Sequence, residues 1–545
     1  MTDRGWGRDP GLFDHGWDPG CRGWGGRLTG VGSGAPALSL EDHDLGRCAV
    51  RVHHDQQRQA ARGVAPAGTG SHPCCLSLIV WVKVAEMRFP QMVRLAILLT
   101  VTSPHRAAAG PAWPSFRGPN ASGIATGSVT VASWDVASGR NIRWKASVPG
   151  LGHSSPVIAD GQVFVTTAVS ESGKAPLQVG LYGDPGSADD TGVQKWQLLS
   201  LDAATGGLRW ERTVRRGVPR QKRHTKATHA NCSPATDGRR VVAFFGSEGL
   251  HCYTVEGDEV WHRDFGVLRT SPTVFNDALS PAGLDLEWGF ASSPVIHGGR
   301  VYVQCDLFTN GFLAALDLRD GKEVWRTPRK DTPTWSTPNI LASGPRPQLV
   351  VNGWSHMGGY DLGTGSPLWQ MSGGGDCPVP TPVIGRDLIY LTSAHGPRRP
   401  IYAVRPDAEG DISLHAGETT NRFVAWSLLR SAGAYMQTPI LVSNLLYSCH
   451  DDGILSCFDA ASGRLVYKER LGSGGEGFTA SPVASDGKIY FTSEQGNVFV
   501  VPPGPAFAVQ ATNRLDEICM ATPAIADRCL YFRTRSSVIA IGEAR

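Results

Sequence analysis

Charge and metal-binding motifs are scarce in this sequence. Charged residues make up 19% of its 545 residues, and the formal net charge is +3, so the total charge indicates neither nucleic acid nor an anionic membrane as a partner. No Cys-x-x-Cys pair occurs, which removes the usual signature of a haem attachment or a zinc knuckle. We therefore expect no nucleic-acid partner and no metal centre.

The abundant residue types favour short strands and tight turns. The chain contains 66 Gly, 37 Pro and 16 Trp, with 41% hydrophobic residues. That hydrophobic content is ample for a packed core, and frequent Gly and Pro suit many turns better than long helices. The composition predicts an all-β fold.

The first 109 residues differ from the rest. Residues 1–86 have no sustained apolar periodicity, and we expect a structureless gene-model extension there. Residues 87–109 have a basic start, the apolar run Leu95–Val101 and small residues at the end, the order of a secretory signal peptide. The run is too short to span a bilayer, and no Cys follows it as a lipid anchor.

These features predict a start at Met87 or Met92, a periplasmic or extracellular location, and a mature domain over 110–545. The alternative is a genuine N-terminal extension followed by a short core strand. Eight of the twelve Cys follow the signal segment. Cys449 and Cys457 flank a turn and could form a cross-strand disulfide, or all eight could be small buried hydrophobes.

A Ser-Pro or Thr-Pro pair, which we call an anchor, recurs along the chain. Each anchor is followed by apolar residues, a turn and an alternating strand. The separations are 78, 60, 44, 44, 57, 43 and 41 residues, and the shortest match one four-stranded propeller blade. The anchors begin at Ser155, Ser233, Ser293, Thr337, Thr381, Thr438, Ser481 and Thr522.

A second phrase places an acidic residue four positions before Gly and eight before an aromatic residue in four copies. Three copies are weaker: Trp144 has one extra residue, Trp261 lacks the acidic residue, and Trp426 follows a stretched loop. Asp and Gly are turn formers, and we expect the aromatic ring to lie between blades. The aromatic positions are Trp144, Trp210, Trp261, Trp325, Trp369, Trp426 and Tyr467. Seven copies and eight anchors predict eight blades of four antiparallel strands, closed when the Trp144 strand joins the C-terminal segment. A closed ring has no open edge, so we expect a monomer.

These phrases resemble the pyrroloquinoline-quinone (PQQ) repeat, in particular the BamB-like propellers of bacterial envelopes. The resemblance covers about residues 113–545 and includes the openings 113–120, Trp-Pro-Ser-Phe-Arg-Gly-Pro-Asn, and 152–156, Gly-His-Ser-Ser-Pro. It implies a non-catalytic scaffold that holds a partner during envelope assembly. The missing lipid-anchor Cys departs from the BamB pattern.

A quinoprotein dehydrogenase is the alternative that the resemblance raises. Such an enzyme would hold PQQ and Ca²⁺ in the channel and oxidise alcohols or sugars with an Asp base. The adjacent Cys pair of those enzymes occurs here only at Cys74–Cys75, before the propeller. Glu287, Asp376 and Glu476 precede anchors but are not spaced as a Ca²⁺ cluster. We therefore expect no cofactor and a binding role.

Candidate ligand-binding residues lie just before the anchors, where inner strands begin at the channel mouth. Aromatic and amide groups there could bind a planar ligand or a sugar, or could simply fill the channel. They are His153, His229, Asn231, Phe290, Trp335, Tyr435 and Phe478.

A basic loop is the strongest local charge feature. It suits an anionic polysaccharide or phosphate partner, or it is a solvated loop between blades. Its residues are Arg215, Arg216, Arg220, Lys222, Arg223 and Lys226. His224, His229 and His251 do not match the spacing of known zinc ligands.

Overall fold

The computed structural model describes residues 113–543, except 182–185, 191, 271–286, 345, 376, 394, 396, 397 and 431. The predicted extension and signal segment, Cys74–Cys75 and Asp376 therefore lie outside the described residues. Within this part of the chain, 33 strands form eight sheets. The described residues contain no α-helix, only short 3₁₀ turns at Pro119–Ala121 and Gly246–Glu248.

We number the blades in chain order. Strand β1 is Ile142–Ser147. Blade 1 comprises β2 (Val157–Ala159), β3 (Gln162–Ser170), β4 (Gln194–Asp202) and β5 (Leu208–Gly217). Blade 2 comprises β6 (Ala235–Thr236), β7 (Arg240–Phe244), β8 (Leu250–Thr254) and β9 (Glu259–Arg263). Blade 3 comprises β10 (Val295–His297), β11 (Arg300–Cys305), β12 (Gly311–Asp317) and β13 (Glu323–Arg329). Blade 4 comprises β14 (Asn339–Leu341), β15 (Gln348–Val351), β16 (Met357–Asp361) and β17 (Pro367–Met371).

Blade 5 comprises β18 (Val383–Ile384), β19 (Ile389–Thr392), β20 (Ile401–Val404) and β22 (Val424–Leu428). The short strand β21 (Gly410–Asp411) precedes β22 in the chain. Blade 6 comprises β23 (Ile440–Val442), β24 (Leu445–Cys449), β25 (Ile454–Asp459) and β26 (Leu465–Arg470). Blade 7 comprises β27 (Val483–Ser485), β28 (Lys488–Thr492), β29 (Asn497–Val501) and β30 (Ala511–Arg514). Blade 8 comprises β31 (Ala524–Ala526), β32 (Cys529–Arg533) and β33 (Ser537–Ile541), together with β1.

The two ends of the described chain meet in blade 8. Strand β1 pairs antiparallel with β33, so that Trp144 lies opposite Ala540. The predicted eight-bladed propeller, closed by strands from both ends, is confirmed. Blade 4 alone gains a fifth strand, because the long loop before β22 places β21 parallel to β17, with Gly410 opposite Trp369.

The anchors form a chain of hydrogen bonds from blade to blade. In each bond, the backbone N–H of an anchor Ser or Thr donates to the side-chain hydroxyl of the anchor Ser or Thr in the next blade. Six such bonds have N···O distances of 2.8–3.0 Å, and they join Ser155 to Ser233, Ser233 to Ser293, Ser293 to Thr337, Thr381 to Thr438, Thr438 to Ser481, and Ser481 to Thr522. The Pro of each anchor lies at the start of a strand, where its missing N–H breaks no ladder bond.

Aromatic rings join the outer parts of neighbouring blades. Trp261 of blade 2, for example, donates its indole N–H to the carbonyl of Leu318 in blade 3 at 3.0 Å. Five Trp side chains repeat this contact at 2.9–3.1 Å, namely Trp144, Trp210, Trp261, Trp325 and Trp426. Most of the hydrophobic core is accordingly divided into clusters between two adjacent blades, and one larger cluster joins blades 7, 8 and 1.

Two of the seven repeat aromatics differ from this pattern. Trp369 donates to Gln348 of its own blade at 2.7 Å, and its strand also pairs with β21. Tyr467 packs against Phe507, with ring centroids 5.7 Å apart. Both side chains still lie in clusters shared with the next blade.

Candidate binding face

The antiparallel order of the strands gives the propeller two distinct faces. The upper face carries the loops before the anchors and the hairpins between the second and third strands. The lower face carries the Asp-x-x-Thr-Gly turns. Residues that precede an anchor therefore lie on the upper side, and residues that follow it lead towards the lower side.

Residues 113–125, which we call the axial segment, cross the lower end of the inner strands. Trp113 pairs with Ile158 of blade 1, and the carbonyl of Pro114 accepts the N–H of Thr236 in blade 2 at 2.8 Å. Asn339 of blade 4 donates to the Asn120 carbonyl at 3.0 Å. The segment thus fills the channel from below.

Arg117 is the centre of the axial segment. It is fully buried and donates to the carbonyls of Thr438, Pro439 and Pro482 in blades 6 and 7 at 3.0–3.2 Å. Burial lowers the pKa of its guanidinium to about 9, so that it remains a cation at neutral pH. The opening motif 113–120 is therefore an internal latch, a role that sequence reasoning missed.

A buried ion pair closes part of the upper end. Lys226, in the loop between blades 1 and 2, donates to Glu494 of blade 7 at 2.9 Å. The two side chains are 4% and 0% exposed. Glu494 also accepts the N–H of Gly180 at 2.7 Å and the hydroxyl of Thr479 at 2.6 Å. We call this arrangement the upper clasp.

The rest of the predicted basic loop is also paired with carboxylates. Arg215 and Arg216 belong to β5 rather than to a loop, because the strand continues to Gly217. The side-chain pairs are Arg215 with Glu248, Arg216 with Glu171, Arg220 with Asp264, and Arg223 with Asp190. The backbone N–H of Lys222 donates to Glu287 at 2.6 Å. Internal partners thus take up most of this positive charge.

Three predicted mouth residues lie beside the same loop. His153 donates from Nε2 to the carbonyl of Lys226 at 3.0 Å, and burial lowers its pKa to about 4. His229 lies 3.3 Å from Asp190. The side-chain carbonyl of Asn231 accepts from Thr228, and its amide group donates to the carbonyl of Phe290 at 3.2 Å. These groups hold the loop in place.

The predicted aromatic mouth residues separate into two kinds. Phe290 packs on Phe244 at 4.9 Å between centroids, and Phe478 is 1% exposed against Phe499. Both belong to clusters between blades rather than to the channel mouth.

Trp335 and Tyr435 are half-buried at the upper face. Trp335 lies 5.8 Å from Trp288, which lies 6.3 Å from His224. Tyr435 lies 4.9 Å from His395. The aromatic groups at this face thus form local pairs.

A buried polar network supports the loop that carries Trp335, and sequence reasoning missed it. Arg329 bonds Asp306 at 2.5 Å and lies 3.5 Å from Asp331. Asp331 accepts the backbone N–H groups of Trp354 and Ser355 at 3.1 and 2.9 Å. Burial raises the pKa of Asp331. The network fixes the Trp335 loop against the hairpin of blade 4.

Exposed apolar side chains favour the upper face. Eleven large hydrophobic residues are exposed among the described residues, and six of them lie on upper-face loops. These six are Val179, Leu181, Val218, Val267, Phe308 and Leu429, each 38–55% exposed.

The sequence matches a known family over most of its length. A family model described as outer membrane protein assembly factor BamB matches residues 104–264 and 198–503. The chain belongs to this BamB family. Among the described residues of this family member, no helix has the length and apolar character to cross a membrane.

Individual relatives are more distant. The outer membrane protein assembly factor BamB of Alkalilimnicola ehrlichii is 24% identical over 215 residues, which cover 38% of this chain and 50% of the relative. This chain therefore spans about half the length of the curated relative that it matches.

Two solved structures are similar to this chain at low identity. BamB from Moraxella catarrhalis gives a TM-score of 0.42 at 14% identity, covering 70% of this chain and 98% of that one. A europium-containing methanol dehydrogenase gives 0.47 at 11% identity, covering 78% and 90%. Neither likeness bears on the function of this BamB-family chain.

The described residues of this family member offer no cluster of acidic side chains for Ca²⁺. Ca²⁺ needs six to eight oxygen ligands, yet these residues include no group of three or more His, Cys, Asp or Glu placed to hold a metal ion. Glu287 and Glu476 accept from Lys222 and Asn497 instead. Cys449 and Cys457 are buried free thiols. They lie opposite Leu455 and Tyr447 rather than each other, so they are not placed for the predicted cross-strand disulfide.

Proposed function

We propose that this chain is a non-catalytic scaffold of the bacterial envelope that binds a protein partner on its upper face. Membership in the outer membrane protein assembly factor family supports an envelope role. The observation that carries the proposal is the placement of six exposed apolar side chains on upper-face loops. A contiguous apolar patch is typical of a protein-binding site, and we propose that these six side chains contribute to one.

The occupied channel supports a surface role over an internal one. The axial segment crosses the lower end, and the upper clasp spans part of the other end. Two clefts near the clasp each have a volume of about 10 Å³, which is room for roughly one water molecule and lies far below the ~300–1,000 Å³ of typical small-molecule sites.

A protein partner is favoured over an anionic polysaccharide. The basic residues near the upper face are largely paired with carboxylates of the same chain. A polysaccharide would have to displace those pairs, whereas a protein could bury the exposed apolar groups directly.

Site-specific photo-crosslinking in intact cells tests this proposal. A photoreactive residue at Phe308 or Leu429 probes the upper face, and one at Leu208 or Leu465, both exposed on outer strands, is the matched control. We expect adducts with outer-membrane-assembly proteins, identified by mass spectrometry, only from the upper positions. Equal adducts from all positions, or none from the upper ones, would contradict the proposal.

Cofactor loading tests the catalytic alternative separately. The purified protein is dialysed with PQQ and Ca²⁺, and the retained quinone absorbance and dye reduction with alcohols or sugars are measured. We expect neither stoichiometric retention nor turnover. Either result would reverse the assignment to a non-catalytic class.

A further inference from the structure

A group of arginines lies at the upper edge of blade 5. Two stretches of chain meet there, because Ile401 of β20 lies opposite Leu428 of β22 and the chain continues beyond both residues onto the upper face. The carbonyl of Arg399 accepts the backbone N–H of Gly433 at 2.9 Å, so the two stretches stay side by side. They carry Arg398, Arg399, Leu429 and Arg430. We call these four residues the blade 5 patch.

Two of the three guanidinium groups in the patch have no acidic partner. Arg398 and Arg430 are exposed, and neither makes an ion pair with a carboxylate in the described part of the chain. Arg399 is 36% exposed and lies 4.0 Å from Asp451 of blade 6. The next acid, Asp452, is paired with an arginine of its own blade at 3.5 Å. The hairpin of blade 6 therefore leaves most of the positive charge of the patch uncompensated.

The predicted basic loop shows the opposite arrangement. Four of its cations lie 2.6–2.9 Å from a carboxylate of the same chain, namely Arg216, Arg220, Arg223 and Lys226. Each of these cations would have to give up that pair in order to bind an anion, whereas Arg398 and Arg430 would not. The blade 5 patch is therefore better placed than the basic loop to bind an acidic partner.

Apolar surface lies beside these arginines. Leu429 is 38% exposed. The half-buried Tyr435 packs on His395 of the same hairpin, with ring centroids 4.9 Å apart. Arg and Tyr are enriched in protein interfaces, and a polysaccharide would leave Leu429 without an apolar contact. The patch thus fits a partner surface that is both acidic and apolar.

We propose that the blade 5 patch binds an acidic segment of the protein partner. This inference rests on the proposed function and specifies the chemistry of the partner surface. Carboxylates of the segment pair with Arg398 and Arg430, since a guanidinium can bond both oxygens of a carboxylate, while an apolar residue of the segment covers Leu429. Because exposed charges interact over ~8–10 Å at physiological salt, the patch raises the association rate and makes it salt-dependent.

Peptide binding to the whole purified protein tests this inference. The probe is a fluorescein-labelled peptide of alternating Glu and Leu, and the matched peptide has Gln in place of Glu. We expect fluorescence anisotropy to show tighter binding of the Glu peptide, and added NaCl to weaken it. Arg398→Gln with Arg430→Gln should weaken its binding by roughly five- to tenfold. Arg386→Gln with Arg405→Gln, which removes two exposed charges from the lower face of the same blade, should leave it unchanged.

Several results would overturn the inference. Equal binding of the two peptides, or equal losses in the two double variants, would show that the patch does not recognise carboxylates. Tighter binding of a sulfated oligosaccharide of equal charge would assign the patch to a polysaccharide instead.

Photo-crosslinking in cells separates this inference from the proposed function. A photoreactive residue at Phe308 reports the partner without altering the patch. No adduct in the otherwise unchanged protein contradicts the proposed function. An adduct whose yield is the same with and without Arg398→Gln and Arg430→Gln contradicts the inference alone, and the loss of adduct that we expect supports both.

Discussion

Replacing Gly321 with Ala tests the contact that joins neighbouring blades. Gly321 has φ +68°, and a Cβ atom at this position would lie 2.6 Å from the indole of Trp261 in the preceding blade. Gly487 also has φ +68°, but no atom lies within 4 Å of its Cβ position. The two glycines have the same backbone strain and differ in their neighbours.

The expected costs follow from this difference. Ala in the left-handed region costs ~1–2 kcal/mol at either site. At Gly321 the indole must also move, which adds ~1–3 kcal/mol of overpacking. Its 3.0 Å bond to the Leu318 carbonyl is then weakened, at ~0.5–1.5 kcal/mol. We expect a loss of ~3–5 kcal/mol for Gly321→Ala and ~1–2 kcal/mol for Gly487→Ala.

Urea unfolding of both variants, followed by Trp fluorescence and circular dichroism, measures the difference. The midpoint and the slope together separate lost stability from a change in cooperativity. If the two variants lose the same stability within ~0.5 kcal/mol, the Gly–Trp contact does not join the blades and this reasoning is wrong.

Three further perturbations test the two ends of the channel. Lys226→Met should cost ~3–5 kcal/mol in urea unfolding, because it leaves a buried carboxylate, and Lys226→Met with Glu494→Leu should recover much of that loss; no recovery would show that the ion pair is not the source. Arg117→Lys should cost ~2–4 kcal/mol, since an ammonium cannot reach all five carbonyls that the guanidinium contacts, with Arg319→Lys as an unaffected surface control. These carbonyls belong to Ala121, Ser122, Thr438, Pro439 and Pro482. The pKa of His153 lies near 4 in the fold against 6.5 in the unfolded chain. The unfolded state therefore binds more protons between these values, stability should fall as pH drops from 6.5 to 4, and His153→Gln should flatten that interval; an unchanged profile would contradict the shift.

Much of the fold could be predicted because its signals are local and repeated. An anchor recurs in all eight blades, and the turn phrase has seven copies. The closure of the ring follows from one extra strand at Trp144. The reason for Ser or Thr at the anchors was not predictable. Six of the eight hydroxyls accept from a residue 41–78 positions away, and that partner becomes a neighbour only once the blades stand side by side.

Less of the candidate site could be predicted from the sequence. Position before an anchor placed Trp335 and Tyr435 at the upper face, but it also selected Phe290 and Phe478, which pack between blades. Side-chain direction depends on local twist, which spacing does not encode. The partner of Lys226 lies 268 residues away in Glu494, so charge density along the chain could not show that the basic residue is buried.

The axial segment and the upper clasp change how the ring resists unfolding. A propeller joined only by clusters between adjacent blades resembles a repeat array, in which stability is a sum of nearest-neighbour terms. Arg117 instead binds carbonyls of blades 6 and 7 from a segment that also pairs with blade 1. Lys226 joins the loop after blade 1 to blade 7. Because blades 1 and 7 are not adjacent, neither link can be kept while the closing blade opens. The axial segment and the upper clasp therefore couple blades on both sides of the closing blade, so that the ring should unfold as one cooperative unit.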